Sequence, residues 1–479
     1  MSTVGLSAAR IAELVRSGQV KPTEVASDHL RQVEVVEPTL SALLSQRPDK
    51  AMAEAAQLDG RKDLKDLPLA GVPVTIKDSV DVAGEPTRLG SLATPEAPRQ
   101  ADDELVRRVR EAGCVVIGKT RQPELGIWHF TQSNLGVTRN PWNLDRTPGG
   151  SSGGAAASVA SGMAPIAQGS DGGGSIRIPA AFSGLFGIKP GPGLVPIPGG
   201  HTEHWFDMTQ WGPLATTVSD ASLLLDVLAG TTRFRDIAAP SRPLRLALSL
   251  RPPAAGVRLN REVRLAVEAS ADALRDAGHV ITVTDPPYAP EFPLYFLHRF
   301  FAGIATEVDD LRLPVEKLEP RTQRMVRLGR YLNRYHPVPR NGLQRPFQAF
   351  MTWFDDYDVL VTPTTAQPSA PASGWDRRGL PATLFAGTNQ VPFTQAWNVL
   401  NLPAASVPAG LTRDGFPIGV QLIARRGGEE LLFSLAKQLE ELRPWPRHAP
   451  MAAVASGGGA PEPQVPAGVG RRPEARSGG

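Results

Sequence analysis

The chain reads as an α/β protein, and two observations predict this. Short apolar runs rich in β-branched residues, such as Leu69–Ile76, Cys114–Ile117 and Val359–Thr362, have the length of buried strands. Between them lie segments whose apolar residues recur at helical spacing, and this alternation builds a sheet covered by helices.

The elements follow in order. Residues 7–18 predict an amphipathic helix, with Ser7 as N-cap, Ile11, Leu14 and Val15 on one face and Gly18 at the end. Pro22 suits a first helical turn, and a second helix with Val25, Leu30 and Val33 follows it. Leu69–Ile76 is a buried strand that delivers Lys77 and Asp78 at its end. Asp102–Ala112 is helical and closes at Gly113, and Cys114–Ile117 is the next strand. Arg261–Leu274 is helical and Val280–Val283 strand-like, while Pro293–Phe354 predicts a helical pair or cap. Val359–Thr362, Leu402–Val407 and Ile418–Ile423 are late core strands, and a helix from Glu429 to Leu442 ends the domain. Residues 1–450 are assigned to it. From 451 to 479 the chain is rich in Gly and Pro with almost no large apolar side chains, so it is expected to be a disordered tail.

Composition narrows the function. The length of 479 residues suggests about three domains, although large α/β domains often exceed that prior. A net charge of +3 without a basic run gives no reason to expect a nucleic-acid partner. Cys114 is the only cysteine, which excludes an internal disulfide and fits a reducing compartment. The first residues lack the basic and apolar regions of a signal peptide, and no stretch approaches the ~18 apolar residues of a membrane span. A soluble, cytoplasmic protein without a membrane partner is expected.

Residues 149–177, GGSSGGAAASVASGMAPIAQGSDGGGSIR, carry the chemistry. Glycines around a serine allow backbone conformations closed to other residues and expose several N–H groups together. Three local patterns compete with a catalytic reading of this block. Gly113–Thr120 matches the phosphate-loop pattern, but Cys-Val-Val-Ile in its middle is a strand, so the lysine does not open a loop. Gly149–Gly153 matches the nucleophile elbow, yet NPWNLDRTP before it is polar and turn-rich, with no strand to feed Ser151. His201 and His204 have metal-like spacing but lie in a Gly/Pro loop with no third ligand, so no metal is expected.

A serine needs a base to become a nucleophile. None of the eight histidines lies within twenty residues of either serine cluster, although sequence distance does not exclude a histidine triad. Lys77 closes an apolar strand, and burial there would lower its pKa toward the range where neutral amine is available. A surface lysine after a strand is the competing reading.

This block resembles the amidase signature family, whose diagnostic pattern is a GGSSGG turn followed by D-x-GGS-[IV]-R-x-P. Here these are Gly149–Gly154 and then Asp171, Gly173, Gly174, Ser175, Ile176, Arg177 and Pro179. The resemblance covers most of residues 5–440, including AGCVVIGKTRQPE, GPLATTVSDASLLLDVLAG and NLPAASVP. It implies a single large domain with a mixed, twisted central sheet flanked by helices. It also implies a Ser–cis-Ser–Lys triad whose lysine sits in a V-x-[IVL]-K-D context, matched by Val74–Asp78. The nucleophile would be Ser175, the base Lys77 and the bridge Ser151, which lies 24 positions before Ser175 and follows a cis peptide from Gly150. Gly172, Gly173 and Gly174 would form the oxyanion hole with Ser175, and Ser152, Asp171 and Arg177 would support the geometry. Three positions depart from the pattern: Ser79 after Lys-Asp, Gly172 in place of a larger residue, and KPGPG at 189–193.

The resemblance implies hydrolysis of a carboxamide, with a small-molecule amide as partner and no cofactor; a homodimer is allowed. Trp128, His204, Trp205, Phe393 and Trp397 are expected to line the substrate pocket, which points to an apolar or aryl acyl group. Two alternatives share the fold. The A subunit of a glutamyl-tRNA amidotransferase usually carries S-S-L-D-Q-x-G before G-P-[LM], where this chain has Phe206-Asp-Met-Thr-Gln-Trp-Gly-Pro. A silent binding protein is disfavoured because all three triad residues are present.

Overall fold

Strand–helix alternation builds one mixed eleven-stranded sheet in the computed structural model, which describes residues 2–339 and 343–451. The strands in chain order are β1 (Leu43–Gln46), β2 (Pro73–Lys77), β3 (Val115–Thr120), β4 (Gln132–Ser133), β5 (Gly136–Val137), β6 (Ile166–Asp171) and β7 (Phe186–Lys189). They continue with β8 (Gln210–Ala215), β9 (Arg245–Leu248), β10 (Val280–Val283), β11 (Val359–Pro363), β12 (Ala404–Leu411) and β13 (Pro417–Ile423). Across the sheet the order is β1-β3-β2-β6-β8-β7-β12-β13-β11-β9-β10, and β4 and β5 form a separate hairpin. β2 runs parallel to both β3 and β6, whereas β8 is antiparallel to β6. The predicted tail lies outside the described residues apart from Met451.

The N-terminal helix Ala8–Arg16 starts as expected, with Ser7 Oγ accepting from Arg10 N at 3.2 Å. The two N–H groups before Arg10 have a separate acceptor, the buried Asp220 carboxylate, which accepts from Ala8 and Ala9 at 3.0 Å each. This satisfies donors that a helix start otherwise leaves unpaired. Pro22 opens the helix Pro22–Leu40.

The strand expected at Leu69–Ile76 begins only at Pro73. Val72 N bonds back to Leu69 O at 3.1 Å, and Gly71 has φ +70°, so Leu69–Val72 is a turn. Among the described residues, the segment from 292 to 354 holds three α-helices, Phe292–Asp310, Pro320–Tyr335 and Gln344–Trp353. With Trp128, Phe130 and Trp397 they form a second apolar cluster beside the main core, which packs on the sheet. No described helix is long and apolar enough to cross a membrane.

Candidate active site

The sheet brings the site together at the C-terminal ends of two parallel neighbours. β2 ends at Lys77, and β6 ends at Ser170 and Asp171, one strand away. Lys77 N donates to Gln168 Oε1 at 3.2 Å, which fixes the strand end. Both glycine-rich turns converge here. Ser152 N donates to Ser175 O at 3.1 Å, and Ser152 Oγ bonds to Ser170 O at 3.1 Å and Ser170 N at 3.2 Å. The peptide between Gly150 and Ser151 is cis. No strand feeds Ser151; it stands just before the buried helix Gly153–Ala160.

Lys77 is fully buried, and its Nζ donates to Ser151 Oγ at 2.7 Å and Ser170 Oγ at 2.8 Å. Burial pushes its pKa down to about 7, against the opposing pull of Asp171 and Glu307. Near neutral pH a large share of the amine is therefore unprotonated. Such an amine, hydrogen-bonded to a buried serine, can take a proton from that hydroxyl. Ser170 escaped the sequence reading because one serine at the end of a strand carries no catalytic pattern.

Asp171 holds the loop before Ser175. Burial favours the neutral acid, but the Arg177 charge and hydrogen bonds prevail and keep Asp171 well below the usual carboxylate range. Arg177 Nε and Nη2 reach its two oxygens at 2.9 Å each, with both side chains fully buried. Arg177 also donates to Thr394 O, Gln421 Oε1 and Asn398 Oδ1 at 3.0, 2.7 and 2.6 Å.

One assignment in the oxyanion loop is corrected. Gly174 N already donates to Asp171 Oδ1 at 2.6 Å, so this N–H holds the turn and is not free for substrate. The N–H groups of Gly172, Gly173 and Ser175 make no hydrogen bond among the described residues. Gly174 has φ +125°, and a Cβ there would lie 2.4 Å from Thr394 Oγ1, so both conformation and space require glycine. The unusual Gly172 is filled from outside: a Cβ would meet the Trp205 ring at 2.9 Å.

Two cavities flank this centre. The first is lined by Gly173 and Ser175 together with Trp128, Ile178, Phe296 and Phe300, and includes no Asp, Glu, Lys or Arg. His129 also faces it; burial pushes its pKa down to about 3, so its imidazole is neutral. The second lies on the side of Ser151, Ser170 and Gly172. Trp205 lines both, whereas His204 faces only the second, 3.8 Å from Glu307. Phe393 and Trp397 line neither cavity. The helix Gln395–Val399 presents Gln395 and Ala396 to the first, while both aromatic rings are fully buried and Trp397 packs on Phe350 at 5.8 Å. Phe296 was not anticipated, yet a Cβ on Gly173 would lie 2.9 Å from its Cζ, so it stands against the loop.

The rival motifs find other places. Lys119 lies within β3, buried, 3.1 Å from Asp78 and bonded to Pro86 O and Thr87 Oγ1. His201 is exposed at the end of a short turn.

Against this geometry, comparisons with known proteins agree with one another. The family model described as Amidase matches residues 24–433. AmiB2 of Mycobacterium tuberculosis, a protein named as an amidase, is 41% identical over 452 residues, spanning 92% of this chain and 97% of its own. A solved 6-aminohexanoate cyclic dimer hydrolase superposes with a TM-score of 0.84 at 30% identity, covering 94% of this chain and 100% of that one. A bacterial aryl acylamidase of the amidase signature enzymes gives 0.82 at 27%, covering 94% and 98%. The peptide amidase of Stenotrophomonas maltophilia gives 0.75 at 26%, covering 91% and 96%.

Proposed function

Since this chain belongs to the amidase family and is an amide-hydrolysing enzyme, we propose that it cleaves amides of neutral, apolar or aryl acids through an acyl-enzyme on Ser175. The observation that carries the reading is the hydrogen bond from Lys77 Nζ to Ser151 Oγ in a fully buried setting. Neutral Lys77 takes the proton of Ser151 as Ser151 takes that of Ser175, whose oxygen attacks the carbonyl carbon. The N–H groups of Gly172, Gly173 and Ser175 receive the developing negative charge. Removing one such donor costs roughly 3–4 kcal/mol in other acyl-transfer enzymes. The carbon–nitrogen bond then breaks, and the nitrogen takes a proton from Ser151, which Lys77 restores. Water attacks the ester, its proton follows the same path, and Ser175 is regenerated.

The first cavity supports this acyl class. Its wall offers aromatic and aliphatic surface and no charged side chain to pair with a charged acid, so burying one there is unfavourable. Neutral His129 is a far weaker base than Lys77. The test is a panel of primary amides of aliphatic, aryl and charged acids. Turnover confined to the neutral apolar members and absent in Ser175→Ala supports the reading, and preference for a charged acid contradicts it.

A further inference from the structure

Ser151 and Ser170 face a different cavity from Ser175, so the catalytic centre forms the wall between two chambers. The chambers differ in chemistry. The second is edged by Asp81, Asp103, Glu203, Glu307 and Asp310 against the single arginine Arg99. Arg99 is engaged by Asp81 at 3.2 Å. Glu307 accepts from Trp205 Nε1 at 2.9 Å, and Asp103 from Gly199 N at 2.8 Å. Glu203 and Asp310 have no ion-pair partner among the described residues.

Inside the chamber lies an unpaired amide. Gln122 is only 3% exposed, yet neither its Oε1 nor its Nε2 has a hydrogen-bond partner among the described residues. Leaving such a group unsatisfied is costly unless something binds there. Its place is telling: a Cβ on Gly126 would lie 3.3 Å from Ser151 Oγ and 3.5 Å from Gln122 Oε1. The unpaired carboxamide and the hydroxyl that would hand a proton to the departing nitrogen thus face the same side of Gly126. Thr209 Oγ1, 4% exposed by residue and likewise unpartnered, lines the same chamber.

We propose that this second chamber holds the amine half of the substrate, that Gln122 positions the scissile N–H beside Ser151, and that the acidic rim favours amines bearing a second, cationic group. The inference rests on the Ser175–Ser151–Lys77 reading above. As the carbon–nitrogen bond breaks, its electron pair stays on nitrogen, which takes the Ser151 proton. Acyl and amine portions then occupy opposite chambers, and the amine leaves past the acidic rim.

Two sets of matched substrates test it on the full-length enzyme. The first pairs an amide with the ester of the same acid, because an ester has no N–H to position. Gln122→Met should lower kcat/KM for the amide about tenfold more than for the ester, the worth of one hydrogen bond. Equal losses on both would show a structural role and overturn the assignment of Gln122. The second set is the N-butyl, N-(4-aminobutyl) and N-(3-carboxypropyl) amides of one aryl acid. We expect kcat/KM to fall in the order cationic, neutral, anionic, and the cationic-to-neutral ratio to drop in Glu203→Gln/Asp310→Asn. Indifference to amine charge, in an enzyme that Ser175→Ala silences, would overturn the amine chamber alone. Hydrolysis persisting in Ser175→Ala would instead overturn the catalytic reading beneath it.

Discussion

Lys77 donates to Ser151 across 2.7 Å inside a fully buried pocket, with Ser170 as its second partner. A lysine in that position loses the water that normally stabilises its charge, and its pKa falls to about 7. Position and basicity thus come from the same cause, the placement of β2 between β3 and β6.

The rate of acylation should follow that pKa. Below about 7 Lys77 is protonated and cannot accept a proton; above it the neutral form predominates. kcat/KM should therefore rise with pH through about 7 and level off. Lys77→Ala should lose 10²–10⁴-fold in kcat, about the worth of a general base, and lose this inflection. Replacing any single histidine, His129 included, should cost less than about tenfold in acylation, since removing no proton acceptor leaves the general-base contribution in place.

The same lysine should cost stability. In the unfolded chain it keeps its ordinary pKa of 10.5, so below about 7 both states are protonated and the full penalty of burial applies. As pH rises from 7 to 10.5 the folded state holds fewer protons than the unfolded one, and the penalty disappears. Relative to Lys77→Met, the parent should gain up to about 1.4 kcal/mol per pH unit in that window. Denaturant titrations of the two proteins at several pH values measure it, and a constant difference would show that Lys77 is not depressed.

Asp171→Asn should destabilise by about 3–5 kcal/mol, because Arg177 is then left buried without its carboxylate. The loop also loses strong acceptors for Gly174 N and Ile176 N. Thermal unfolding should report the loss of stability, and turnover should fall with it as the donors at Gly172 and Gly173 lose their alignment.

Phe296→Ala should reduce kcat/KM for aryl amides by about tenfold relative to acetamide, in line with the modest discrimination a hydrophobic contact supplies. Phe296 abuts Gly173 and faces the first cavity, so an aryl group loses a contact that acetamide never made. Equal effects on both substrates would remove Phe296 from the acyl site.

Much of this candidate site was legible in the sequence through the pattern the chain shares with the amidase family, and the residues' local setting fits it. Lys77 ends an apolar strand, and the two serine turns carry glycines that need unusual backbone. The partners that brace them were not legible. Thr394, Asn398 and Gln421 reach Arg177 from more than two hundred residues away, and nothing in their own segments marks them. Strand β6 was also missed, since IAQGSD offers few β-branched residues; the sheet on both sides makes it a strand. Aromatic residues pointed to the pocket only in part. Trp128 and Trp205 reach it, while Phe393 and Trp397 are core, and apolar character alone cannot separate cavity wall from interior. The role of the Gly174 N–H depends on where the Asp171 carboxylate lies, which the order of residues does not reveal.

The most direct test is to trap the covalent intermediate with a slowly released aryl ester or a fluorophosphonate and map the modified peptide by mass spectrometry. A single adduct on Ser175, still formed slowly by Ser151→Ala and absent from Ser175→Ala, is the predicted result. An adduct on Ser151, or one on Ser170 that survives Ser175→Ala, would contradict it.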